Sequence, residues 1–222
     1  MKFDSKTHTY YNDKGEVIPN VTSIVHSVMN SESLLSWAYY MGIKGDDYRS
    51  FRRKRGEIGT QFHSKAECFF QKDKTYENTG NVEVENTAIE CFNLFLKWVE
   101  QAKPDVVFQE KMLMNERYAG TLDMLCYISG NLILIDLKTS KVISMDYFLQ
   151  LGGYLNLLRD CYPDLYKKIK GCEIISCNEV KGLQIKAKSI ENMKYFQDAF
   201  ECAYELYKKM KSAEKEFDKY SI

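Results

Sequence analysis

The segment NLILIDLK, near the middle of the chain, limits the fold more than any other part of the sequence. It is apolar on both faces of a strand until Asp136 and Lys138 interrupt the run. A strand with two apolar faces has to be covered on both sides, and helices usually provide that cover. We therefore expect residues 132–138 to form a central strand of an α/β sandwich.

The neighbouring segments supply the rest of a sheet. Strand patterns at 106–114 and 120–128 precede this segment, and Ser129-Gly130-Asn131 gives a tight turn before it. These three strands are predicted to form an antiparallel meander. A helix at 144–159 leads to an added strand near 172–178, with a further candidate strand at 183–188. The pattern predicts a central mixed sheet flanked by helices.

The first third of the chain combines a hairpin with helices. Residues 7–19 are predicted to form the hairpin, after which Asn20 or Thr22 is suited to cap a helix. Residues 31–73 have a helical pattern with a break at Gly42 and Gly45. We expect residues 1–50 to be a hairpin and helical extension that binds substrate.

Composition excludes several classes of protein. The 222 residues are 45% hydrophobic, and 31 basic residues balance 31 acidic ones, so the overall charge does not indicate a polyanion partner. No apolar run approaches the roughly 20 residues of a membrane span, and the first residues lack the apolar centre of a signal peptide. We expect residues 1–222 to form a single cytoplasmic domain without a membrane partner.

One basic segment stands out locally, and it consists of Arg49, Arg52, Arg53, Lys54 and Arg55. It is a candidate for binding DNA phosphates without reading their sequence. A solvated helix face explains the same pattern equally well. Aromatic residues interleaved with these charges, such as Tyr48 and Phe51, could stack on unpaired bases or simply belong to the core.

The candidate site residues in the strands are two acidic side chains and a lysine. Asp136 and Lys138 are two apart on a strand and therefore project from the same face. A salt bridge at a strand end explains Asp-x-Lys by itself. Asp123, however, lies on the preceding strand and places a second carboxylate beside Asp136, and a divalent cation is the usual way to offset that repulsion. Magnesium or manganese is implied.

Further candidate residues are found before and after these strands. Glu110 is a third possible carboxylate ligand, with an exposed strand charge as the alternative. His63 shares a helix face with Gly56 and Gly59, which clears space beside an imidazole that is either a metal ligand or a structural residue. Gln150 and Tyr154 are four apart on the following helix and can face the same cleft.

Four motifs in this order carry a resemblance. They are Arg-Gly-x-x-Gly-x-x-x-His ending at His63, Gly-x-x-Asp ending at Asp123, Asp-x-Lys ending at Lys138, and Gln-x-x-x-Tyr ending at Tyr154. The set resembles the RecB-type and CRISPR-adaptation exonucleases of the PD-(D/E)XK superfamily. The opening segment also resembles, more weakly, phage-encoded and mitochondrial-maintenance-like members.

The resemblance implies a restriction-endonuclease-like core and specific roles for the residues. His63, Asp123 and Asp136 would be metal ligands, and Gln150 with Tyr154 would support the site or contact substrate. We expect Glu110 and the backbone carbonyl of Leu137 to assist as ligands. Lys138 would orient or deprotonate the attacking water, its pKa lowered by burial beside the metal.

Cysteine placement departs from part of that family. Several relatives hold an iron-sulfur cluster with one cysteine before the histidine helix and three closely spaced cysteines near the C-terminus. This chain has no cysteine before Cys68, and Cys161, Cys172 and Cys177 lack the close spacing. We therefore predict a member without an iron-sulfur cluster.

The expected function is that of a Mg²⁺- or Mn²⁺-dependent DNA exonuclease. It would act on single-stranded or linear DNA ends in replication, recombination or repair. DNA is the expected partner, with a recombinase or a single-strand-binding protein as further candidates. Two alternatives stay open: a structure-selective endonuclease of the same fold, and a DNA- or protein-binding module without catalysis.

Overall fold

The computed structural model of the protein describes residues 2–4, 9–29, 32–72 and 74–218. Three short strands and four helices precede three long strands, and helices and strands follow in smaller groups. In chain order the elements are β1 (Lys2–Asp4), β2 (Thr9–Tyr11), β3 (Val17–Ile18), α1 (Val21–Val28), α2 (Glu32–Ile43), α3 (Tyr48–Phe70), α4 (Val82–Ala102), β4 (Asp105–Met114), β5 (Ala119–Ile128), β6 (Asn131–Lys138), α5 (Met145–Cys161), α6 (Pro163–Tyr166), β7 (Ile169–Asn178), β8 (Gly182–Ser189) and α7 (Ile190–Asp218).

A five-stranded mixed sheet in the order β4-β5-β6-β7-β8 forms the centre of the fold. The strands β4, β5 and β6 are an antiparallel meander, β7 is parallel to β6, and β8 is antiparallel to β7. The predicted α/β class, with a restriction-endonuclease-like sheet flanked by helices, is confirmed. The added strand β7 begins at Ile169, a few residues earlier than its pattern indicated.

The central strand β6 is covered on both faces, as its sequence predicts. Leu132 and Leu134 belong to a core cluster that also contains residues of α1, α5 and α7. Ile135 and Leu137 belong to a second cluster, formed with residues of α3 and α4. Alternate side chains of one strand thus fill two cores, which is why the segment has no polar face.

The N-terminal segment pairs as a small sheet of its own. β2 and β3 form the predicted antiparallel hairpin, and β1 adds a strand that the sequence pattern did not indicate; positions 7 and 8 of the predicted hairpin lie outside the described residues. The Ala119 amide donates to the Pro19 carbonyl over 3.0 Å, which ties this sheet to the start of β5.

The helices begin where polar residues can cap them. The Asn20 side chain accepts from the Ser23 amide at the start of α1. The predicted break at Gly42 and Gly45 is confirmed, since α2 ends at Ile43 and α3 starts after the cap residue Asp47. None of the helices within the described ranges has the length and apolar character needed to cross a membrane.

Candidate active site

Three side chains from three elements meet at one end of the sheet. His63 comes from α3, Glu110 from β4 and Asp123 from β5, and one potential ligand atom of each lies within 4.8 Å of the others. The Nδ1 atom of His63 is 3.4 Å from Glu110 Oε1 and 3.7 Å from Asp123 Oδ1. Two carboxylates and an imidazole are a donor set that suits a divalent cation.

The sheet is locally distorted beside this group of side chains. Glu110 and Asp123 lie opposite each other, between the pairs Gln109–Met124 and Lys111–Leu122. Glu110 has a φ of 45°, in the left-handed region that residues with a side chain rarely adopt. Such a conformation costs of order 1 kcal/mol, and strain of this kind is concentrated at functional sites.

The pairing of β5 with β6 ends beside the same cluster. The ladder's last pair at this end is Met124 with Ile135. Beyond it, the Asp123 Oδ2 atom accepts the Leu137 amide hydrogen over 2.7 Å, in place of a backbone acceptor. His63 Nε2 lies 3.1 Å from the Leu137 carbonyl oxygen, so this predicted ligand also borders the site. The candidate site occupies the fork between the two strands.

Asp136 and Lys138 form the other half of the site. The Lys138 ammonium donates to Asp136 Oδ1 over 2.7 Å. Asp136 is only 1% exposed, and its Oδ2 atom is buried without a hydrogen-bond partner in the described part of the chain. Asp136 is not within the compact group of His63, Glu110 and Asp123. An unsatisfied buried carboxylate oxygen is costly, and a bound ion is one recognised reason for it.

The charges of this site shift one another's protonation. Burial, only partly offset by the Lys138 charge, raises the pKa of Asp136 to about 6. Burial also raises the pKa of Asp123, against the opposing charges of His63 and Lys138. Burial lowers the pKa of His63, but Asp123 and Glu110 outweigh it and raise the value to about 9. The carboxylates are therefore held beside two positive side chains.

Lys138 has two acidic neighbours that act on its protonation. Burial by itself lowers its pKa, but Asp136 and then Asp123 outweigh that effect and raise the pKa above its ordinary value. The protein's own charges thus favour the ammonium form of Lys138. The expected lowering of the pKa concerned burial beside a bound metal, and it stays a prediction.

A chain of polar contacts holds that ammonium from the α5 side. Lys138 Nζ lies 3.4 Å from Gln150 Oε1, and the Gln150 amide donates to the Tyr154 hydroxyl over 2.8 Å. Tyr154 packs so close to Gly120 that a Cβ atom there would be 2.7 Å from its ring. The structure therefore brings both predicted supporting residues to Lys138.

Sequence reasoning missed one residue in this series of polar contacts. Gln150 Nε2 also lies 3.4 Å from the Thr22 hydroxyl, which was considered only as a helix cap. Its position in the first turn of α1 gives no sign that it faces α5, because that contact depends on how two distant helices pack. The packing of α1 against the sheet is therefore part of the site.

The basic residues of the predicted DNA-binding segment differ in whether they are exposed or already paired. Arg49 and Arg52 are exposed, and Arg53 pairs loosely with Glu57 on the same helix. Lys54 forms an ion pair with Glu83 of α4. Arg55 donates to Glu179 over 2.7 Å and to the Thr139 carbonyl, which ties α3 to the ends of β6 and β7. Arg55 is thus a structural tie, whereas Arg49 and Arg52 are accessible to a ligand.

The space beside His63 is open, as the two glycines suggested. Gly56, Gly59 and His63 line a cavity of about 570 Å³ together with Glu110. A Cβ atom at Gly56 would meet nothing within 4 Å, and at Gly59 only the Thr139 hydroxyl at 3.8 Å. A backbone or a phosphate group can therefore approach His63 and Glu110 from this side.

Comparison with known proteins gives a loose likeness in fold. No family model and no curated protein sequence matches the chain. Among solved structures, an alkaline exonuclease from Laribacter hongkongensis aligns at 10% identity and a TM-score of 0.37, over 89% of this chain and 94% of its own. The same exonuclease in complex with dAMP aligns at 13% identity and a TM-score of 0.36, over 87% and 91%.

A phage-related exonuclease from Haemophilus somnus 129PT aligns at 10% identity and a TM-score of 0.37, over 90% of this chain and 97% of its own. Likeness at these values is too loose to assign an activity to this chain. What the site can do has to be inferred from its own residues.

Proposed function

We propose that this protein is a metal-dependent DNA nuclease that hydrolyses phosphodiester bonds, and that it acts as an exonuclease on single-stranded or linear DNA ends. The observation that carries the proposal is the buried Asp136 carboxylate, whose Oδ2 atom has no partner in the described part of the chain. The charges of Asp123 and His63, two of the three grouped residues, act on this carboxylate. Processing of DNA ends in replication, recombination or repair is the role we propose.

The residues present fit a divalent cation. Asp123, Glu110 and His63 would hold Mg²⁺ or Mn²⁺, with Asp136 and the Leu137 carbonyl as further ligands. When bound, such an ion lowers the pKa of a water molecule and stabilises charge on phosphoryl oxygens. It would also offset the repulsion among carboxylates that burial intensifies here. No iron-sulfur cluster is part of the proposal.

In this proposal Lys138 acts through its ammonium group, which orients the attacking water or a phosphate oxygen. Asp136 and Gln150 hold its ammonium group at the site. An ammonium has three donors and no acceptor, so it can bind a non-bridging phosphate oxygen or the oxygen of the attacking water. Stabilising the charge that develops on phosphorus-bound oxygens in this way is a large contribution in phosphoryl transfer.

The decisive experiment compares DNA substrates. End-labelled single-stranded and duplex linear DNA, and closed circular DNA, would be incubated with the protein in Mg²⁺ or Mn²⁺. The proposal expects loss of linear DNA and survival of circles. Cutting of circles would instead assign a structure-selective endonuclease, and no cutting of any DNA would leave the binding module as the function.

A matched pair of lysine variants identifies the site. Lys138→Ala should abolish cleavage, because it removes the donor while leaving the metal ligands in place. Lys209→Ala changes an exposed lysine of α7 in the same way and should cleave as the unmodified protein does. Equal activity in the two variants would contradict the proposed site.

A further inference from the structure

A second cavity is lined in part by Lys138 and shares no lining residue with the cavity beside His63. It has a volume of about 730 Å³, and most of its exposed lining is apolar. Its walls come from α2, α3, the segment after β6, and α5. The lining residues are Trp37, Phe51, Arg55, Lys138, Thr139, Ser140, Lys141, Val142, Ser144 and Tyr147.

The cavity has the character of a site for an aromatic ring. Trp37, Phe51 and Tyr147 contribute three aromatic side chains. The Trp37 indole meets the rings of Phe51 and Tyr48 edge-on, at interplanar angles of 68° and centroid distances of 5.2 Å, so neither ring stacks parallel on it. Tyr147 lies with its ring centroid 5.0 Å from the Lys138 ammonium.

The charges and polar groups in this lining favour an anion next to that ring. Lys138 and Lys141 supply ammonium groups, and Thr139, Ser140 and Ser144 supply hydroxyls. Among the side chains that the structure describes, none that lines the cavity is acidic. A phosphate-bearing ligand with a flat apolar part fits this combination. A purely apolar peptide or a lipid chain offers no negative group to the lysines of this lining.

We infer that this cavity, here called the aromatic pocket, binds an unpaired nucleobase of the DNA strand whose backbone passes Lys138. The inference rests on the proposed function and extends it, because it makes single-stranded DNA the substrate that the enzyme grips. A base in a duplex is stacked and paired and cannot enter the pocket. The preference for unpaired strands would then come from stacking rather than from base-edge recognition.

Tryptophan fluorescence gives a direct test. The chain has two tryptophans, and Trp98 is buried in the core, whereas Trp37 lines the aromatic pocket. With Ca²⁺ in place of Mg²⁺, and strand survival checked on a gel, a 20-nucleotide oligothymidylate should quench the emission. A strand of 20 abasic nucleotides has the same backbone charge, and it should not quench and should bind about 10-fold more weakly, within the range expected for stacking.

Substitutions test whether the pocket itself, rather than the general stability of α2, determines the preference for strands with bases. Trp37→Ala should reduce the 10-fold ratio of the two dissociation constants to about one, whereas mere loosening of α2 would weaken both strands equally. Tyr39→Ala removes an exposed aromatic of the same helix that lies outside the pocket lining, and it should keep both the ratio and the quenching. If Trp37→Ala does not fold, Phe51→Leu changes the pocket wall at similar volume and should also lower the ratio.

The outcomes distinguish the two proposals. Equal binding of the two strands by the unmodified protein, with DNA still cleaved in Mg²⁺, would overturn the aromatic pocket and leave the nuclease intact. Base-dependent quenching without cleavage in Mg²⁺ or Mn²⁺ would support the pocket and reject the nuclease.

Discussion

Two buried carboxylates, Glu85 and Asp136, show opposite ways of placing a negative charge inside this protein. Glu85 in α4 accepts hydrogen bonds from the Tyr76 hydroxyl and the Thr79 amide, and it pairs with the Lys65 ammonium 3.4 Å away. Asp136 in β6 has Lys138 on one oxygen and no partner in the described chain on the other.

The difference is visible in their protonation. Burial alone would raise the pKa of Glu85, but the hydrogen bonds from Tyr76 and Thr79 outweigh it and lower the pKa below its ordinary value. The pKa of Asp136 is raised, to about 6, because its burial is not compensated in this way. A fully satisfied carboxylate stabilises the fold, whereas an incompletely satisfied one has capacity left for a ligand.

The largest expected effect is on catalysis at the incompletely satisfied carboxylate. Asp136→Asn should lower kcat/KM for linear DNA by about 1000-fold, equivalent to about 4 kcal/mol, because the neutral amide is a poor ligand for a divalent ion. Its free energy of unfolding in urea should change less than that of Glu85→Gln. Wild-type cleavage by Asp136→Asn would show that this carboxylate is not part of the site.

Substitution of the fully satisfied carboxylate should lower the free energy of unfolding and leave the activity nearly unchanged. Glu85→Gln leaves the Lys65 ammonium without its charge partner in a poorly hydrated place, and breaking such a pair costs about 3 kcal/mol. Urea unfolding measures the loss, and kcat per folded molecule should stay within about twofold of the wild type because Glu85 does not contact the site. A loss of activity as large as that of Asp136→Asn would show that the two carboxylates do not differ in the way described.

Much of this contrast was not readable from the sequence. The strands β4 to β6 were predictable, since their apolar patterns and the Ser129-Gly130 turn are local, and so were the Asp-x-Lys and Gly-x-x-Asp motifs. Nothing local indicates that Glu85 is buried, because its partners Tyr76 and Thr79 lie in the preceding segment, which lacks periodicity. Nor does the sequence show that Glu110 adopts a left-handed φ, since that depends on how its strand bends in three dimensions.

A metal titration sharpens the comparison further. Mn²⁺ at 100 times its dissociation constant should stabilise the protein by about 2.7 kcal/mol if it binds only the folded state. Asp123→Ala should lose this increment, whereas Glu85→Gln should keep it despite its lower starting stability. Calorimetric melting with and without Mn²⁺ measures both, and an equal increment in the two variants would place the ion elsewhere.

The smallest expected effect concerns the support of Lys138. Tyr154→Phe removes the acceptor of the Gln150 amide, so Gln150 should hold Lys138 less firmly and kcat should fall about fivefold, near the 1 kcal/mol typical of one hydrogen bond. KM should change little, because Tyr154 is buried. Steady-state kinetics separate the two terms, and a rise in KM alone would instead make Tyr154 a substrate contact.

The fork between β5 and β6 links the site to the order in which the chain folds. The two strands are joined by the short turn at Ser129 and Gly130, so closing their hairpin brings together residues close in sequence, and such local contacts form quickly. Asp123 bonds to the Leu137 amide where this hairpin ends, so both carboxylates and Lys138 approach one another as soon as it closes. This strand pair is thus expected to assemble early, while His63, which reaches it across a longer stretch of chain, completes the group later.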